Sequence, residues 1–100
     1  MVVTSQRFAL HRIVESLGFS SIDEFALDQA LKKLFEEVKK SNHRIEFFEK
    51  KYGMSYEEFS KNFHAIDEVE LFEKEDDGME WRTELVVLRN LEKDLAELSL

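Results

Sequence analysis

Three histidines are the residues of this 100-residue sequence that could most readily bind a metal: His11, His43 and His64. The residue three positions before each of them is a Phe or a Lys, so the Glu-x-x-His pattern of di-iron helical bundles is absent. A metal site would require folding to bring His43 and His64 together, because no single helix turn supplies a ligand set. We therefore predict no bound metal and no cofactor.

Carboxylates are abundant, and they could in principle act as general acids or bases. They include three adjacent pairs, Glu36-Glu37, Glu57-Glu58 and Asp76-Asp77. Neighbouring residues of a helix point to different faces, and acid–base chemistry requires a desolvated pocket. The sequence also lacks a Gly-rich phosphate loop, a G-x-S-x-G elbow and an H-E-x-x-H motif. We predict that the protein is not an enzyme and that it acts by binding partners.

The composition limits the class of protein. The chain has no Cys or Pro and only three Gly, which favours long helices in a reducing compartment, and we expect a cytoplasmic protein. We also expect no signal peptide and no membrane-spanning segment. Residues 1–50 carry eight basic and eight acidic side chains, whereas residues 51–100 carry six and fourteen, so the second half holds the whole net charge of −8. An acidic half suits a partner with a basic surface.

Stop signals and capping residues predict where the first helices begin and end. A first helix is expected from about Arg7 to Leu17, with Gly18 as a left-handed stop. Ser21 and Glu24 have the spacing of a capping box, in which each side chain accepts a hydrogen bond from the backbone amide of the other residue. A second helix is therefore predicted from Ile22.

Apolar residues recur every three or four positions along that second helix and form a seam. The residues proposed for dimerisation belong to it: Leu27, Leu31, Leu34, Val38 and Ile45. Ser41-Asn42 interrupts the seam, so the helix either continues through this pair or breaks there, and Gly53 is the stop at its far end. A helix of about 30 residues would be roughly 45 Å long, which suggests an extended molecule or a dimer.

The second half of the chain begins with a complete helix start. Ser55 and Glu58 are spaced as a capping box, and Met54 and Phe59 as a hydrophobic staple, so a short helix is expected from about 56 to 63. Residues 65–78 are acidic without a clear period and predict a linker or a poorly ordered segment.

The last helix is predicted to begin near Met79 after an Asp77 cap. It carries an apolar stripe composed of Trp81, Leu85, Leu88, Leu91, Leu95 and Leu98. Val86, Val87 and Leu100 lie off this stripe, so the helix should contact more than one neighbour.

Residues 1–40 resemble a ribbon-helix-helix domain. The resemblance rests on Val2-Val3-Thr4-Ser5 as a strand, the turn from Gly18 to Ser21, and the Glu24-Phe25 and Ala30-Leu31 pairs in the second helix. It implies a dimer whose paired strands enter the major groove of DNA, with Thr4, Gln6 and Arg7 as the DNA-binding side chains. A plain helical hairpin is the alternative for this part.

Residues 45–100 resemble small prokaryotic antitoxin-like proteins. The shared features are the stretch from Phe48 to Phe59, an acidic gap, and Met79-Glu80-Trp81 opening a Leu-rich helix. The resemblance implies a C-terminal segment that wraps a toxin and blocks its site. The residues expected to bind the toxin are Leu71, Phe72, Met79, Trp81 and Leu85. For Leu71, Phe72 and Trp81, a place in the core is the alternative.

We therefore predict a mainly α fold with a long amphipathic helix, short helices, a C-terminal helix and a short N-terminal strand. Residues 1–53 form the part for dimerisation and DNA binding, and residues 54–100 form the acidic partner-binding part. The expected function is that of an antitoxin-type regulator that neutralises a toxin and represses its own operon. The alternative is a structural homodimer, joined as a coiled coil, that binds neither toxin nor DNA.

Overall fold

The computed structural model describes residues 1–99, so Leu100 lies outside the described residues. Within this range the chain forms four α-helices and one short 3₁₀-helix and no strand, which confirms the mainly α prediction. The elements are α1 (Thr4–Ser16), α2 (Ile22–Tyr52), α3 (Tyr56–Lys61), the 3₁₀-helix (Phe63–Ala65) and α4 (Leu71–Leu98). None of the helices found in this range has the length and apolarity that crossing a membrane requires.

The predicted N-terminal strand is wrong, because helix α1 already begins at Thr4. The Oε1 atom of Gln6 accepts a hydrogen bond from the backbone N–H of Val3 at 3.0 Å, which satisfies an amide at the start of the helix. A strand would need a partner for its backbone groups, and residues 1–99 contain none. The predicted stop at Gly18 is confirmed, because this residue has a φ of +96°.

Helix α2 is continuous for 31 residues, so the pair Ser41-Asn42 does not end it. Ser21 caps its start by accepting a hydrogen bond from the Glu24 backbone amide at 3.0 Å. The reciprocal half of the predicted capping box is wrong, because the Glu24 carboxylate accepts from the backbone amide and hydroxyl of Ser20 instead. Gly53 ends the helix in the left-handed conformation, as predicted, with a φ of +66°.

Helices α2 and α4 lie antiparallel along each other and form an extended molecule of 62 × 28 × 17 Å. Their register is fixed by contacts at both ends and in the middle. Tyr52 contacts Asp77, Ser41 contacts Glu84, and a cleft at the far end is lined by Leu34 and Leu98. The seam of α2 therefore packs against α4 of the same chain.

The core lies at the end of the hairpin where α3 packs across α2 and α4. Trp81 of α4 is completely buried and stacks on Phe48 and Tyr52 of α2, with ring centroids 5.7 and 6.0 Å away. Phe59 of α3 contacts the same indole at 5.2 Å. The capping box of Ser55 and Glu58 is confirmed and sets the start of α3, which turns Phe59 into this cluster.

Residues 65–78 are not a linker, because α4 begins at Leu71 and includes the second half of this segment. The reason is Lys74, a buried cation whose Nζ donates to the backbone carbonyls of Phe63 and Ile66 at 2.7 and 2.8 Å. Phe63 belongs to the 3₁₀-helix and Ile66 directly follows it, and a cation is favourable at the C-terminal end of a helix. Residues 65–78 include seven acidic residues and a single basic residue, Lys74. The contacts of Lys74 hold the start of α4 against the 3₁₀-helix.

Candidate functional site

Three apolar side chains are exposed on the side of α4 that faces away from the core. Phe72 and Met79 are each 70% exposed and Val86 is 46% exposed. They are spaced seven residues apart, which is nearly two turns, so they share one face of the helix. Trp81 points in nearly the opposite direction and is completely buried. We refer to Phe72, Met79 and Val86 as the outer face of α4.

Acidic side chains surround the N-terminal half of this outer face. Glu73, Glu75, Asp76 and Glu80 are exposed. Two other carboxylates of α4 are engaged inside the fold, since Asp77 pairs with Lys51 at 2.7 Å and Glu84 with Arg44 at 3.1 Å. The exposed carboxylates give the surface around Phe72 and Met79 a negative potential.

A groove of about 500 Å³ opens beside the outer face, between α3 and α4. Its apolar wall consists of Tyr56, Phe59 and Phe63, and Met79 forms part of its rim. The remaining lining residues are Ser60, His64, Glu75, Gly78 and Arg82. A groove with aromatic walls and a few polar groups at its edge can accept an apolar side chain of a partner.

A polar network joins α2 to the N-terminal half of α4 and holds the outer face in place. The hydroxyl of Tyr52 donates to Oδ2 of Asp77 at 2.6 Å, and Nζ of Lys51 contacts the same oxygen. Burial and the hydrogen bond to Asp77 raise the pKa of Tyr52 above its ordinary range. The hydrogen bond to Asp77 likewise raises the pKa of Lys51. The network pairs Asp77 with Tyr52 and Lys51, and it ties residues 71–78 to α2.

Of the five residues predicted to bind a partner, some are exposed and others lie in or against the core. Leu71, Phe72 and Met79 are exposed, and Phe72 and Met79 belong to the outer face. Trp81 lies in the core and cannot reach a partner, and Leu85 is half-buried against the same cluster. Val86 and the groove were not predicted from the sequence as parts of a binding site. The seven-residue spacing of Phe72, Met79 and Val86 was the sequence signal that could have revealed the outer face.

The residues predicted for dimerisation lie along α2 in different environments. Leu27 is exposed, Leu31, Leu34 and Val38 are half-buried, and Ile45 belongs to the core. Because α4 of the same chain packs along α2, Leu34, which lines a cleft with Leu98, and Ile45, which lies in the core, already have an intramolecular neighbour.

The residues predicted for DNA binding, Thr4, Gln6 and Arg7, lie in the first turns of α1. They cannot alternate along a strand, because that part of the chain is helical, and the Oε1 atom of Gln6 is occupied by the amide of Val3. Residues 1–40 therefore do not form the strand that a ribbon-helix-helix arrangement requires.

In the described part of the chain, no three His, Asp or Glu side chains come together in a way that could hold a metal ion. No model of a protein family, no curated protein and no solved structure matches the chain.

Proposed function

We propose that this protein is an antitoxin-type binding protein that holds a toxin with a basic surface on the outer face of α4 and in the adjoining groove. The observation that carries the proposal is the exposure of Phe72 and Met79, both 70% exposed, among exposed carboxylates. Large apolar side chains at the centre of a charged rim are the usual anchors of a protein interface.

The rigidity of the face supports this function. A helix tied down by Lys74, and by the network of Lys51, Tyr52 and Asp77, presents its anchors without first having to fold. Binding then costs less conformational entropy than it would for a disordered segment. The partner is therefore expected to dock on a preformed helix, without the wrapping that the resemblance to antitoxin-like proteins implies.

The charge of the face selects the class of partner. Glu73, Glu75, Asp76 and Glu80 would be repelled by another acidic surface and attracted by Lys and Arg side chains. A toxin that handles RNA or nucleotides needs such a basic surface, and covering that surface would block it.

Co-expression with the protein encoded beside this gene tests the proposal. We expect the two proteins to co-purify and the neighbour to be toxic when expressed alone. The double variant Phe72→Ser/Met79→Ser should weaken the complex by roughly thirtyfold or more, because two central anchors are lost. Phe35→Ser removes an equally large exposed side chain from α2 and serves as the control. A harmless neighbour that does not co-purify would refute the proposal.

A further inference from the structure

We propose that two copies of this chain form an antiparallel dimer through an apolar ridge on the first half of α2, composed of Leu27, Leu31 and Phe35. These residues follow each other at steps of four and therefore share one side of the helix. Phe35 is 61% exposed and Leu27 is 43% exposed, while Leu31 is half-buried. Helix α4 contacts α2 on the side of Leu34, and Phe35, the next residue, is turned by about 100° from it. We refer to Leu27, Leu31 and Phe35 as the ridge of α2.

The single chain exposes more surface than a monomeric protein of its mass normally does. Its accessible area is 7780 Å², whereas a compact monomer of 11.9 kDa exposes about 6,000 Å². A standard interface removes about 800 Å² from each partner, so the difference is large enough for a dimer contact. Within residues 1–99 only eight residues are buried, and Val14 is the single one among the first 40. The first half of α2 therefore has the most to gain from a second copy.

The charges around the ridge favour a second copy of the same surface. Residues 22–40 carry five acidic and four basic side chains, so two such surfaces do not repel each other. Some of these charges pair within the helix, as Asp28 does with Lys32 at 3.0 Å. The basic partner proposed for the outer face of α4 would find no comparable excess of carboxylates here. A near-neutral apolar ridge is instead complementary to another copy of itself.

An antiparallel arrangement keeps the acidic parts of the two copies apart. The start of α4, with its exposed carboxylates, lies at the far end of α2, where Asp77 contacts Tyr52. Leu31 and Tyr52 are separated along α2 by a rise of about 32 Å. Antiparallel helices that cross at Leu31 therefore place the two acidic ends about 60 Å apart, whereas parallel helices would place them side by side.

The spacing of the ridge fits itself in this orientation. Leu31 lies on the twofold axis and meets its counterpart in the second copy. Leu27 and Phe35 are each four residues from Leu31, so Leu27 of one copy meets Phe35 of the other on both sides of the axis. Such a contact uses the same surface of both copies and closes at a dimer. Each dimer then carries two free outer faces of α4, at opposite ends.

Sedimentation equilibrium of the full chain at rising concentration tests the dimer. We expect a reversible equilibrium between monomer and dimer with no larger species. Phe35→Ser should raise the dissociation constant at least about thirtyfold, because the dimer loses this side chain at two places. A chain that stays monomeric at every concentration, or one that grows beyond a dimer, would overturn the proposal.

The double variant Phe72→Ser/Met79→Ser is the matched control, because it changes exposed apolar residues outside the ridge. It should dimerise like the unmodified chain, and circular dichroism confirms that both variants remain helical. The two variants also separate the dimer from the proposed function, since Phe35→Ser should lose the dimer and keep the partner. Equal dissociation constants of the two variants would overturn the role of the ridge.

Single cysteines test the orientation of the helices, since the chain has no Cys of its own. With an added oxidant, Leu31→Cys should form a disulfide-linked dimer, because the two thiols meet on the axis. Leu27→Cys and Phe35→Cys should cross-link when mixed but hardly alone, since the same residue of two antiparallel copies is offset by about 12 Å. Asn42→Cys, at an exposed position of α2, should form no such dimer and is the control.

Two results of the cysteine experiment would overturn the proposal. Cross-linking of Leu27→Cys alone would show that the helices are parallel. A Leu31→Cys chain that cross-links no faster than Asn42→Cys would show that the axis does not pass through Leu31.

Discussion

Ser41 of α2 donates a hydrogen bond from its hydroxyl to the backbone carbonyl of Glu84 in α4, with an oxygen–oxygen distance of 3.3 Å. Ser41 is completely buried, and its small side chain occupies a place in the seam where the other positions carry apolar residues. A residue that weakens the helix locally thus becomes a contact between the two long helices.

Substitutions at Ser41 should distinguish how much its small size and its hydrogen bond each contribute to the free energy of unfolding. Ser41→Ala should lower the free energy of unfolding by about 1 kcal/mol, because the Glu84 carbonyl loses its donor. Ser41→Leu should cost about 1–3 kcal/mol, because it overfills the contact. Urea unfolding measures both, and Asn42→Ala, at the exposed neighbouring position, is the control. A stabilising Ser41→Leu would show that α4 does not pack there.

Replacing Lys74 should destabilise the start of α4. In Lys74→Met the part-buried carbonyl of Phe63 and the buried carbonyl of Ile66 lose this donor, which should cost about 2 kcal/mol. Lys61→Met removes a Lys whose side chain is 72% exposed and should change stability by less than about 0.5 kcal/mol. Thermal unfolding compares the two, and equal effects would exclude the proposed role of Lys74.

The network at Tyr52 should make the protein less stable at alkaline pH. The fold raises the pKa of Tyr52, so the unfolded chain releases this proton first, near pH 10. The contribution of this network to the free energy of unfolding should then be constant up to about pH 9 and fall above about pH 10. Lys51, whose pKa is also raised, contributes with the same sign. Tyr52→Phe should reduce this fall in the free energy of unfolding above about pH 10. Urea unfolding at several pH values measures the effect, and an unchanged pH dependence would contradict the role of Tyr52.

Gly78 and Phe59 should be energetically coupled. Gly in the middle of a helix costs about 1 kcal/mol relative to Ala, but a Cβ at position 78 would lie 3.0 Å from a ring carbon of Phe59. Phe59 is held by Tyr52, Tyr56, Phe63 and Trp81 and cannot easily move. Gly78→Ala should therefore give no stabilisation in the unmodified chain and should stabilise the Phe59→Leu variant. A double-mutant cycle without coupling would refute this contact.

Filling the groove should impair partner binding without loss of stability. Ser60→Trp places a large side chain in the groove, whereas Glu57→Trp places it on the same helix at a residue that does not line the groove. With the partner obtained by co-expression, calorimetry should show at least about tenfold weaker binding for Ser60→Trp and little change for Glu57→Trp. Equal affinities would place the partner elsewhere on the surface.

The sequence by itself determined the features that depend on neighbouring residues. Gly18 and Gly53 end helices because they can adopt a positive φ, and Ser55 with Glu58 starts α3 through hydrogen bonds over three residues. The acidic character of the second half and the lack of catalytic motifs are likewise properties of the sequence. Such features require no knowledge of which distant residues meet.

Only the tertiary structure decided the rest, because the deciding contacts join distant residues. The helix continues through Ser41 where it packs against Glu84, 43 positions later in the chain. Residues 71–78 are helical because Lys74 reaches back to Phe63 and Ile66. Trp81 is buried because α2 and α3 enclose it, and this leaves Phe72 and Met79 on the opposite side. The candidate site is therefore the surface of α4 that stays exposed because it lies opposite the buried Trp81.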